Sequence, residues 1–368
     1  MRSSYRPVLF AAAICAAALV AVGCGSDSDN GGSASTAVEK TKVGWLIYGP
    51  KDDGGFAQIA YEAMLATKAE FGPKLDNLWA DNVPFGKQTT TITERFAADG
   101  AKLLIDTGAV GDLFLDVCKA QPDKHCIEAT YIGKPPANVS SYWSEWWKQE
   151  YLLGMAAGKL TTSNVIGYVQ PYDIPIVYTE QNAWLLGCQS VNPQCKMRVV
   201  NINTWYDPPK TTQATNTLVD AGADVINSFV SDPSYCSTAD KRKVWAVGLY
   251  KDWSKYCPNG YINGALWDLG PYFTTEVGLE LAGKWTGGRM TYTALGDGAT
   301  LGKWGKNVPT EVSDLVDAEY ERLVASKEEP IKGPIYDTKG KLRVKAGETV
   351  TQDFLYDKWD WLVKGTIG

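Results

Sequence analysis

The side chains best suited to bind a ligand are aromatic rings that stand next to acidic residues in loops. Phe56 follows the segment GPKDDGG, and Trp205 and Tyr206 lie in NTWYDPPK, between an apolar run and a helix-like stretch. Leaving such rings in water is unfavourable, so each one either fills the core or stacks on a flat partner. The residues alone leave both alternatives open for Phe56 and Trp205, and they favour packing for Tyr206.

Acidic residues near these rings raise the question of catalysis. Asp52, Asp53 and Asp268 could supply the carboxylate pair of a glycoside hydrolase, but the sequence does not indicate the apolar surroundings that a general acid needs. His125 is the only histidine, so it has no second histidine for a metal site or a dyad. The sequence therefore favours a binding protein, with a hydrolase or sugar-processing enzyme as the alternative.

Three neighbouring tryptophans, Trp143, Trp146 and Trp147, lie in SYWSEWWKQEY. They are dense enough to suggest a surface for stacking sugars. Helical spacing, however, puts Trp143, Trp147 and Tyr151 on one face, which is more typical of packing between lobes. We therefore predict a helix that carries Trp143, Trp147 and Tyr151 and packs between the lobes, with one of these rings near the cleft as the alternative.

The first residues have the pattern of an export signal. Arg2 and Arg6 precede an apolar run over 8–22, which is short for a spanning helix of about 20 residues. The run ends in AVGC, which resembles the lipobox of bacterial lipoproteins, except that Ala21 replaces the usual leucine. We predict a lipoprotein signal that ends at Cys24, the lipidation site, and simple secretion with cleavage nearby is the alternative.

The segment over 25–37 is polar and small, so it predicts a flexible tether between a membrane anchor and a folded body. That body has about 330 residues, more than one core usually supports, so two lobes are expected. The net charge of −6 argues against nucleic-acid binding, which depends on clustered Lys and Arg.

Apolar runs such as VGWLIYG and NVIGYVQP alternate with helix-like stretches along the body. This alternation predicts an α/β fold with parallel sheets and right-handed crossovers. The pattern restarts at Asn164, which indicates two such units in tandem. In open α/β sheets ligands bind beyond the carboxyl ends of the strands, so two units that face each other would form a cleft.

Cysteines of the folded body are candidates for disulfides. They are Cys118, Cys126, Cys188, Cys195, Cys236 and Cys257. An even number in an oxidising compartment indicates disulfides, and six cysteines allow fifteen pairings. Spacing favours the local pairs 118–126, 188–195 and 236–257, because each joins the end of a helix-like segment to the loop that follows. A metal site is the alternative, but the body has no CxxC motif.

Several separated segments resemble, in order, those of one protein family. They are GPKDDGGFAQIAYEAM, EYLLGMAAGKLTTSNVIGYV, NTWYDPPK, GADVI and WDLGPYF. The chain resembles the basic membrane protein (Bmp/Med) family, which includes purine nucleoside receptor lipoproteins of ABC importers, from about residue 42 to the C-terminus. The resemblance implies a type I periplasmic-binding fold with two Rossmann-like lobes around a ligand cleft. It implies an ABC permease as partner and neither catalytic residues nor a cofactor.

Each expected lobe is built from two separate segments of the chain. The N-terminal lobe comprises 38–163 and a returning segment at about 268–290. The C-terminal lobe comprises 164–267 and a C-terminal segment at about 291–368.

The resemblance also assigns candidate ligand residues. Asp53 and Phe56 match the Asp and the aromatic residue of the family's first loop, and Trp205 matches the aromatic residue on the opposite face of the ligand. A purine-like ring held between Phe56 and Trp205 would gain roughly 1–3 kcal/mol per stacked base. Candidates for contacts with the ligand's edge are Gln58, Asn182, Asp232, Trp267 and Asp268; Asn182 and Asp232 could equally be a surface residue or a helix cap.

Departures from the family's nucleoside receptors narrow the expected ligand. Ala57 replaces an Asn, while Tyr250 and Trp267 stand at the positions of an acidic residue and a Lys that hold the ribose hydroxyls. Losing both charges favours a flat ligand with fewer hydroxyls, such as a free purine base. A nucleoside, a flavin or a carbohydrate remains the alternative. We therefore expect a monomeric, lipid-anchored receptor on the outer face of the bacterial cytoplasmic membrane, and a ligand sensor of the same fold stays open.

Overall fold

The computed structural model describes residues 40–131 and 133–367. Within these ranges, none of the helices is long and apolar enough to cross a membrane. The predicted signal over 1–24, its lipidation site Cys24 and the tether over 25–37 lie outside the described residues and stay predictions.

Strands and helices alternate along most of the described chain. The strands are β1 (Thr41–Leu46), β2 (Leu75–Ala80), β3 (Ala101–Asp106), β4 (His125–Ala129), β5 (Val139–Ser144), β6 (Val165–Gln170), β7 (Lys196–Asn201), β8 (Val225–Ser228), β9 (Trp245–Tyr250), β10 (Tyr261–Trp267), β11 (Arg289–Thr293), β12 (Ala299–Leu301), β13 (Ile335–Tyr336), β14 (Leu342–Val344) and β15 (Thr366–Ile367). The helices are α1 (Phe56–Phe71), α2 (Lys87–Ala98), α3 (Asp112–Ala120), α4 (Trp146–Leu160), α5 (Pro175–Val191), α6 (Pro208–Asp220), α7 (Ser234–Lys241), α8 (Gly270–Leu281) and α9 (Thr310–Ser326).

Two large sheets form the centres of the two lobes. The first has the order β11-β5-β4-β3-β1-β2 and is parallel throughout. The second has the order β12-β10-β9-β8-β6-β7-β15, in which only the pairing of β12 with β10 is antiparallel. The chain passes between the sheets after β5, after β10 and again after β11. This architecture confirms the predicted α/β fold with two lobes.

Helices cover both faces of each sheet. In the first lobe α1 and α8 pack on one face, and α2 and α3 pack on the other. In the second lobe α4 and α5 cover one face, while α6 and α7 cover the other. Strands in the middle of such a sheet lose water on both sides, which explains why β5 and β8 are buried along their whole length.

Helices α4 and α5 approach each other closely because glycines lie at their contact. A Cβ atom on Gly154 would lie 2.2 Å from the carbonyl oxygen of Trp184. A Cβ atom on Gly187 would lie 1.9 Å from the carbonyl oxygen of Tyr151. Both distances are shorter than any contact between non-bonded atoms, so only glycine fits at either position.

The prediction of one helix through the tryptophan-rich segment is wrong at its start. Trp143 lies in β5, and α4 begins at Trp146. Strand β5 pairs with β4 on one side and with β11 on the other. Backbone hydrogen bonds to two neighbouring strands therefore outweigh the helical spacing of the rings. Trp147, which is in the helix, packs against Tyr356 near the C-terminus.

Three disulfides stabilise the connections between helices and strands. They join Cys118 to Cys126, Cys188 to Cys195 and Cys236 to Cys257, the pairs that spacing favours. The cysteines are buried, and the Cα atoms of each pair are 6.3, 6.1 and 5.3 Å apart, respectively. In the part of the chain that the structure describes, no three His, Cys, Asp or Glu side chains are arranged to hold a metal ion.

Candidate ligand site between the two lobes

Asp53 organises the loop between β1 and α1. Its Oδ1 accepts hydrogen bonds from the backbone N–H groups of Gly55 (2.7 Å) and Gln58 (3.1 Å), and its Oδ2 accepts one from Ala57 (3.2 Å). These bonds satisfy N–H groups at the start of α1 that have no partner within the helix. Burial raises the pKa of Asp53 to about 6, although the same hydrogen bonds oppose the rise, and the nearby charge of Asp232 adds to it.

The two glycines after Asp53 bring this loop into contact with the second lobe. The carbonyl oxygen of Gly54 accepts a hydrogen bond of 2.7 Å from Nε1 of Trp253, in the loop after β9. A Cβ atom on Gly55 would lie 2.4 Å from the carbonyl oxygen of Ser231, in the loop after β8. The carboxyl ends of both sheets therefore face each other, and the lobes are closed.

An ion pair at the rim also joins the lobes. Nζ of Lys251, just after β9, lies 2.5 Å from Oε1 of Glu62 on α1. The predicted ligand residue Gln58 lies one helical turn before Glu62 and donates a hydrogen bond of 2.8 Å from its Nε2 to the same oxygen. The side chain of Gln58 thus contributes to the closed rim.

Four aromatic rings meet between the lobes, and we call them the aromatic cluster. The centroid of the Phe56 ring is 6.1 Å from that of Trp143, 5.5 Å from that of Tyr250 and 6.1 Å from that of Trp267. Trp143 belongs to the first sheet, whereas Tyr250 and Trp267 end two strands of the second. Phe56 is half-buried and the other three are buried. The cluster therefore lies at the carboxyl ends of strands from both sheets.

Trp205 stands at the edge of this region, in the loop before α6. Asp207 accepts a hydrogen bond of 3.0 Å from the backbone N–H of Lys210, so α6 is capped two residues after Trp205. The Trp205 ring is 6.4 Å from Phe229, which lies 6.1 Å from Tyr250 in the aromatic cluster. The structure thus connects Trp205 to Phe56 through two intervening rings.

Tyr250 has an unusual backbone conformation, and Trp267 makes a hydrogen bond between the two sheets. Tyr250 has a φ of +67°, a left-handed conformation that costs a residue with a Cβ atom roughly 1–2 kcal/mol. Such strain is concentrated at functional positions in proteins. Trp267 donates a hydrogen bond of 3.1 Å from Nε1 to Oγ1 of Thr293, the last residue of β11. This bond links the end of a strand in one sheet to a strand in the other.

Asp232 lies close to the first loop but is already hydrogen-bonded. It is buried, and its Oδ2 accepts a hydrogen bond of 2.9 Å from Oγ1 of Thr211. Its Oδ1 accepts one of 3.0 Å from the backbone N–H of Ser234, at the start of α7. Each carboxylate oxygen still has a lone pair for a ligand.

Two predicted ligand residues have other partners. Asn182 is fully buried, and its amide donates to the carbonyl oxygen of Trp361 (2.8 Å) and accepts from the N–H of Val363 (3.1 Å). It therefore holds the C-terminal segment against α5. Asp268 is exposed and accepts a hydrogen bond of 2.9 Å from the N–H of Gly270, the first residue of α8. The structure does not place either side chain in the aromatic cluster.

Three residues of this region were not predicted from the sequence: Phe229, Lys251 and Trp253. Phe229 directly follows β8, and the other two follow β9, so all three stand at carboxyl ends of strands. The rule that ligands bind at these ends could have identified them.

Comparison with known proteins places the chain among solute receptors. The profile of a family described as Bmp, ABC transporter substrate-binding protein PnrA-like, matches residues 40–329. A purine-binding protein from Brucella abortus (strain 2308) is 29% identical over 318 residues, which cover 86% of this chain and 90% of that protein. A candidate ABC transporter glucose-binding protein from Haloferax volcanii is 30% identical over 348 residues, which cover 93% of this chain and 84% of that protein.

A solved structure shows the same architecture. An ABC transporter solute-binding protein from Conexibacter woesei DSM 14684 matches with a TM-score of 0.62 and 25% sequence identity. The match covers 79% of this chain and 98% of that protein.

Proposed function

Because the chain belongs to the Bmp family of PnrA-like ABC transporter substrate-binding proteins, we propose that its ligand is a flat aromatic heterocycle such as a purine base. Receptors of this kind take up a small molecule outside the cytoplasm and deliver it to a permease. They release it unchanged, so no catalytic residue is required.

The aromatic cluster is the observation that carries this proposal. Phe56 from the first lobe meets Tyr250 and Trp267 from the second, at the edge where ligands bind to α/β sheets. A planar ring that enters as the lobes open would replace these contacts with stacking on its own faces, and offset stacking is the geometry that aromatic pairs prefer. Tyr250 and Trp267 offer no charge to a ribose, which favours a base over its nucleoside.

Trp205 is the proposed second face of the sandwich. The N–H of Ser231 donates a hydrogen bond of 2.8 Å to the carbonyl oxygen of Trp205, and Ser231 contacts Gly55. The loop that carries Trp205 is thereby tied to the residue next to Phe56. Phe229 is one of the two rings between Trp205 and Phe56, and it would have to move for a ligand to reach both.

Asp53 and Asp232 are the proposed partners of the heterocycle's edge. Both carboxylates are buried, and they lie close enough for the charge of one to affect the other. A ring N–H donated to either of them would form a charge-assisted hydrogen bond in a site that excludes water.

A sugar is the second candidate ligand, because aromatic faces also stack on pyranose rings and the Haloferax relative is named for glucose. Calorimetry with purine bases, their ribosides, riboflavin and glucose separates these candidates. We expect the bases to bind more tightly than their ribosides. Tighter binding of ribosides would overturn the role given to Tyr250 and Trp267, and binding of glucose alone would overturn the heterocycle.

We propose further that the receptor is a monomer anchored through Cys24 to the outer face of the cytoplasmic membrane. The lipobox-like AVGC motif and the polar segment that follows it support this arrangement.

A further inference from the structure

Behind the aromatic cluster, the second lobe contains a group of fully buried polar side chains. We call it the acidic cluster, and it consists of Glu150, Tyr168, Glu180 and Asn227. They come from α4, β6, α5 and β8, which are four separate elements of the chain. Charged groups are almost never fully buried unless they are paired, so two glutamates in this position require an explanation.

The acidic cluster faces α4 and α5. Tyr168 pairs in register with Asn227 on the neighbouring strand, so both side chains point to the same face of the sheet. A Cβ atom on Gly167 would point at Leu218 of α6, on the opposite face. Tyr168 therefore points towards α4 and α5, and burial, together with the nearby Glu150 and Glu180, raises the pKa of its hydroxyl well above the usual range.

The acidic cluster is next to the aromatic rings. Glu150 follows Trp146 by one helical turn, so both lie on the same face of α4. The ring of Trp146 is 5.3 Å from that of Tyr250 and 6.1 Å from that of Phe229. Burial, followed by the charge of Asp53, raises the pKa of Tyr250, and Glu180 and Glu150 add to the rise. Tyr250 therefore lies near both the first loop and the acidic cluster.

Hydrogen bonds within the chain satisfy only part of this group. Oε2 of Glu150 accepts a bond of 2.5 Å from Nδ2 of Asn227, and Oε1 of Glu180 accepts one of 3.3 Å from the hydroxyl of Tyr356. The remaining polar atoms, which are Oε1 of Glu150, Oε2 of Glu180 and the hydroxyl of Tyr168, have no hydrogen-bond partner in the described structure. Buried polar groups nearly always have one, so a partner from outside the chain fits here.

We infer that the acidic cluster binds an exocyclic amine of the ligand, whose two N–H groups donate to Glu150 and Glu180, while the hydroxyl of Tyr168 donates to the ionised carboxylates. The inference rests on the proposed function, because the amine belongs to the heterocycle that the aromatic cluster holds. An amine has N–H groups that can donate to the two carboxylate oxygens that have no partner within the chain. A divalent metal ion fits less well, because Ca²⁺ takes about six to eight oxygen ligands.

The ionisation of the two glutamates agrees with this assignment. Burial raises the pKa of Glu150 to about 8, although the hydrogen bond from Asn227 opposes the rise. Burial, followed by the charge of Glu150, raises the pKa of Glu180 well above its usual range. The titratable groups that face Glu150 and Glu180 from the surrounding elements are Tyr168, Tyr235, Tyr250 and Tyr356. Without a ligand Glu150 therefore holds its proton at neutral pH, and an amine that donates to it stabilises its ionised form.

Calorimetry on the full-length protein in detergent tests the inference with adenine and unsubstituted purine, which differ only in the exocyclic amine. We expect the unchanged protein to bind adenine at least ten-fold more tightly than purine. The variants Glu150→Gln, Glu180→Gln and Tyr168→Phe should weaken the binding of adenine alone. The ratio of the two affinities should therefore come close to one. Adenine binding by the unchanged protein should also strengthen as the pH rises through about 8.

Glu128→Gln is the matched control. Glu128 is a buried acid of the first lobe, its Oε2 lacks a partner, and burial raises its pKa to about 8. This variant should keep the ratio of the unchanged protein. Thermal unfolding checks that each variant is folded, and Tyr168→Phe, which removes one oxygen atom, decides the question if a glutamine variant does not fold.

The possible failures are distinguishable. If the folded variants keep the adenine-to-purine ratio of the unchanged protein, the acidic cluster does not bind the amine, and the proposed receptor function stands. If the unchanged protein binds both bases equally, the inference is also overturned. If it binds neither base, the proposed heterocycle is wrong, and the inference that rests on it falls as well.

Discussion

A Cβ atom on Gly55 would lie 2.4 Å from the carbonyl oxygen of Ser231, so the loops that carry these residues close on each other without space for a side chain. Gly55 belongs to the first lobe and Ser231 to the second. The contact between two backbones is rigid, because neither partner has a flexible end that could move aside. Closure of the lobes therefore depends on the absence of one methyl group.

Gly55→Ala should weaken ligand binding while the separate lobes stay folded. The added methyl group keeps the loops apart, and so the closed form loses contacts that the open form never makes. We expect affinity to fall by at least ten-fold, or about 1.4 kcal/mol, in calorimetry. Small-angle X-ray scattering with ligand should show a more open molecule. An affinity equal to that of the unchanged protein would contradict the role of this contact.

Trp205→Ala should remove one face of the proposed sandwich. We expect affinity for the purine base to fall by one to two powers of ten, each worth about 1.4 kcal/mol, without loss of the fold. Tyr206→Ala is the matched control, because Tyr206 is the next residue and its ring is 38% exposed. Equal losses in the two variants would argue that the loop as a whole matters and that the Trp205 ring does not stack on the ligand.

Asp53 should make stability depend on pH in a specific direction. Burial raises the pKa of Asp53 from 3.8 to about 6, so the folded protein keeps a proton that the unfolded chain has already lost. This stabilisation is complete below about pH 4 and disappears as the pH rises through about 6.

Urea unfolding at a series of pH values measures the effect against Asp53→Asn, which does not titrate. The free energy of unfolding of the unchanged protein minus that of the variant should decrease by about 2–3 kcal/mol between pH 4 and pH 7. A difference that stays constant, or that increases with pH, would show that Asp53 is ionised throughout this range.

Gly154→Ala should destabilise the second lobe by pushing α4 away from α5. The new Cβ atom would lie 2.2 Å from the carbonyl oxygen of Trp184, and overpacking of this kind costs typically 1–3 kcal/mol. Gly278→Ala is the matched control on α8, where the nearest atom belongs to the mobile end of the Phe71 ring at 3.2 Å. The control should be neutral or stabilising, because alanine favours a helix over glycine by up to about 1 kcal/mol. Thermal unfolding compares the two, and similar melting temperatures would contradict the prediction.

Cys24→Ser should release the protein from membranes, because serine has no thiol to carry a lipid. Fractionation of cells that express the variant, together with labelling by a radioactive fatty acid, measures the effect. Lipid label that persists in the variant would show that another residue carries the anchor.

The architecture could be predicted from the sequence. The alternation of apolar runs and helix-like stretches predicts two parallel sheets, because each strand must lose water on both faces. Local pattern is sufficient for this feature. Phe56, Tyr250 and Trp267 are singled out by the resemblance to the family, and the structure brings their rings together.

Features that depend on distant segments could not be predicted in this way. Asn182 is a buried polar residue, but its partners, Trp361 and Val363, lie near the C-terminus, and nothing in the sequence around Asn182 indicates them. Trp143 likewise joins a sheet because β11, far along the chain, pairs with its strand. The acidic cluster has the same origin, since its four residues come from four elements.

The ion pair between Glu62 and Lys251 bears on the shape that the receptor presents to a permease. Its side chains are 47% and 30% exposed, and pairs of this kind contribute little, with a median of about 0–1 kcal/mol that salt reduces further. Such a weak bond adds little to the free energy of the closed shape. A ligand that contacts both lobes would shift the population towards that shape by its own preference for it. We expect a docking partner to distinguish loaded from empty receptors by this difference in shape.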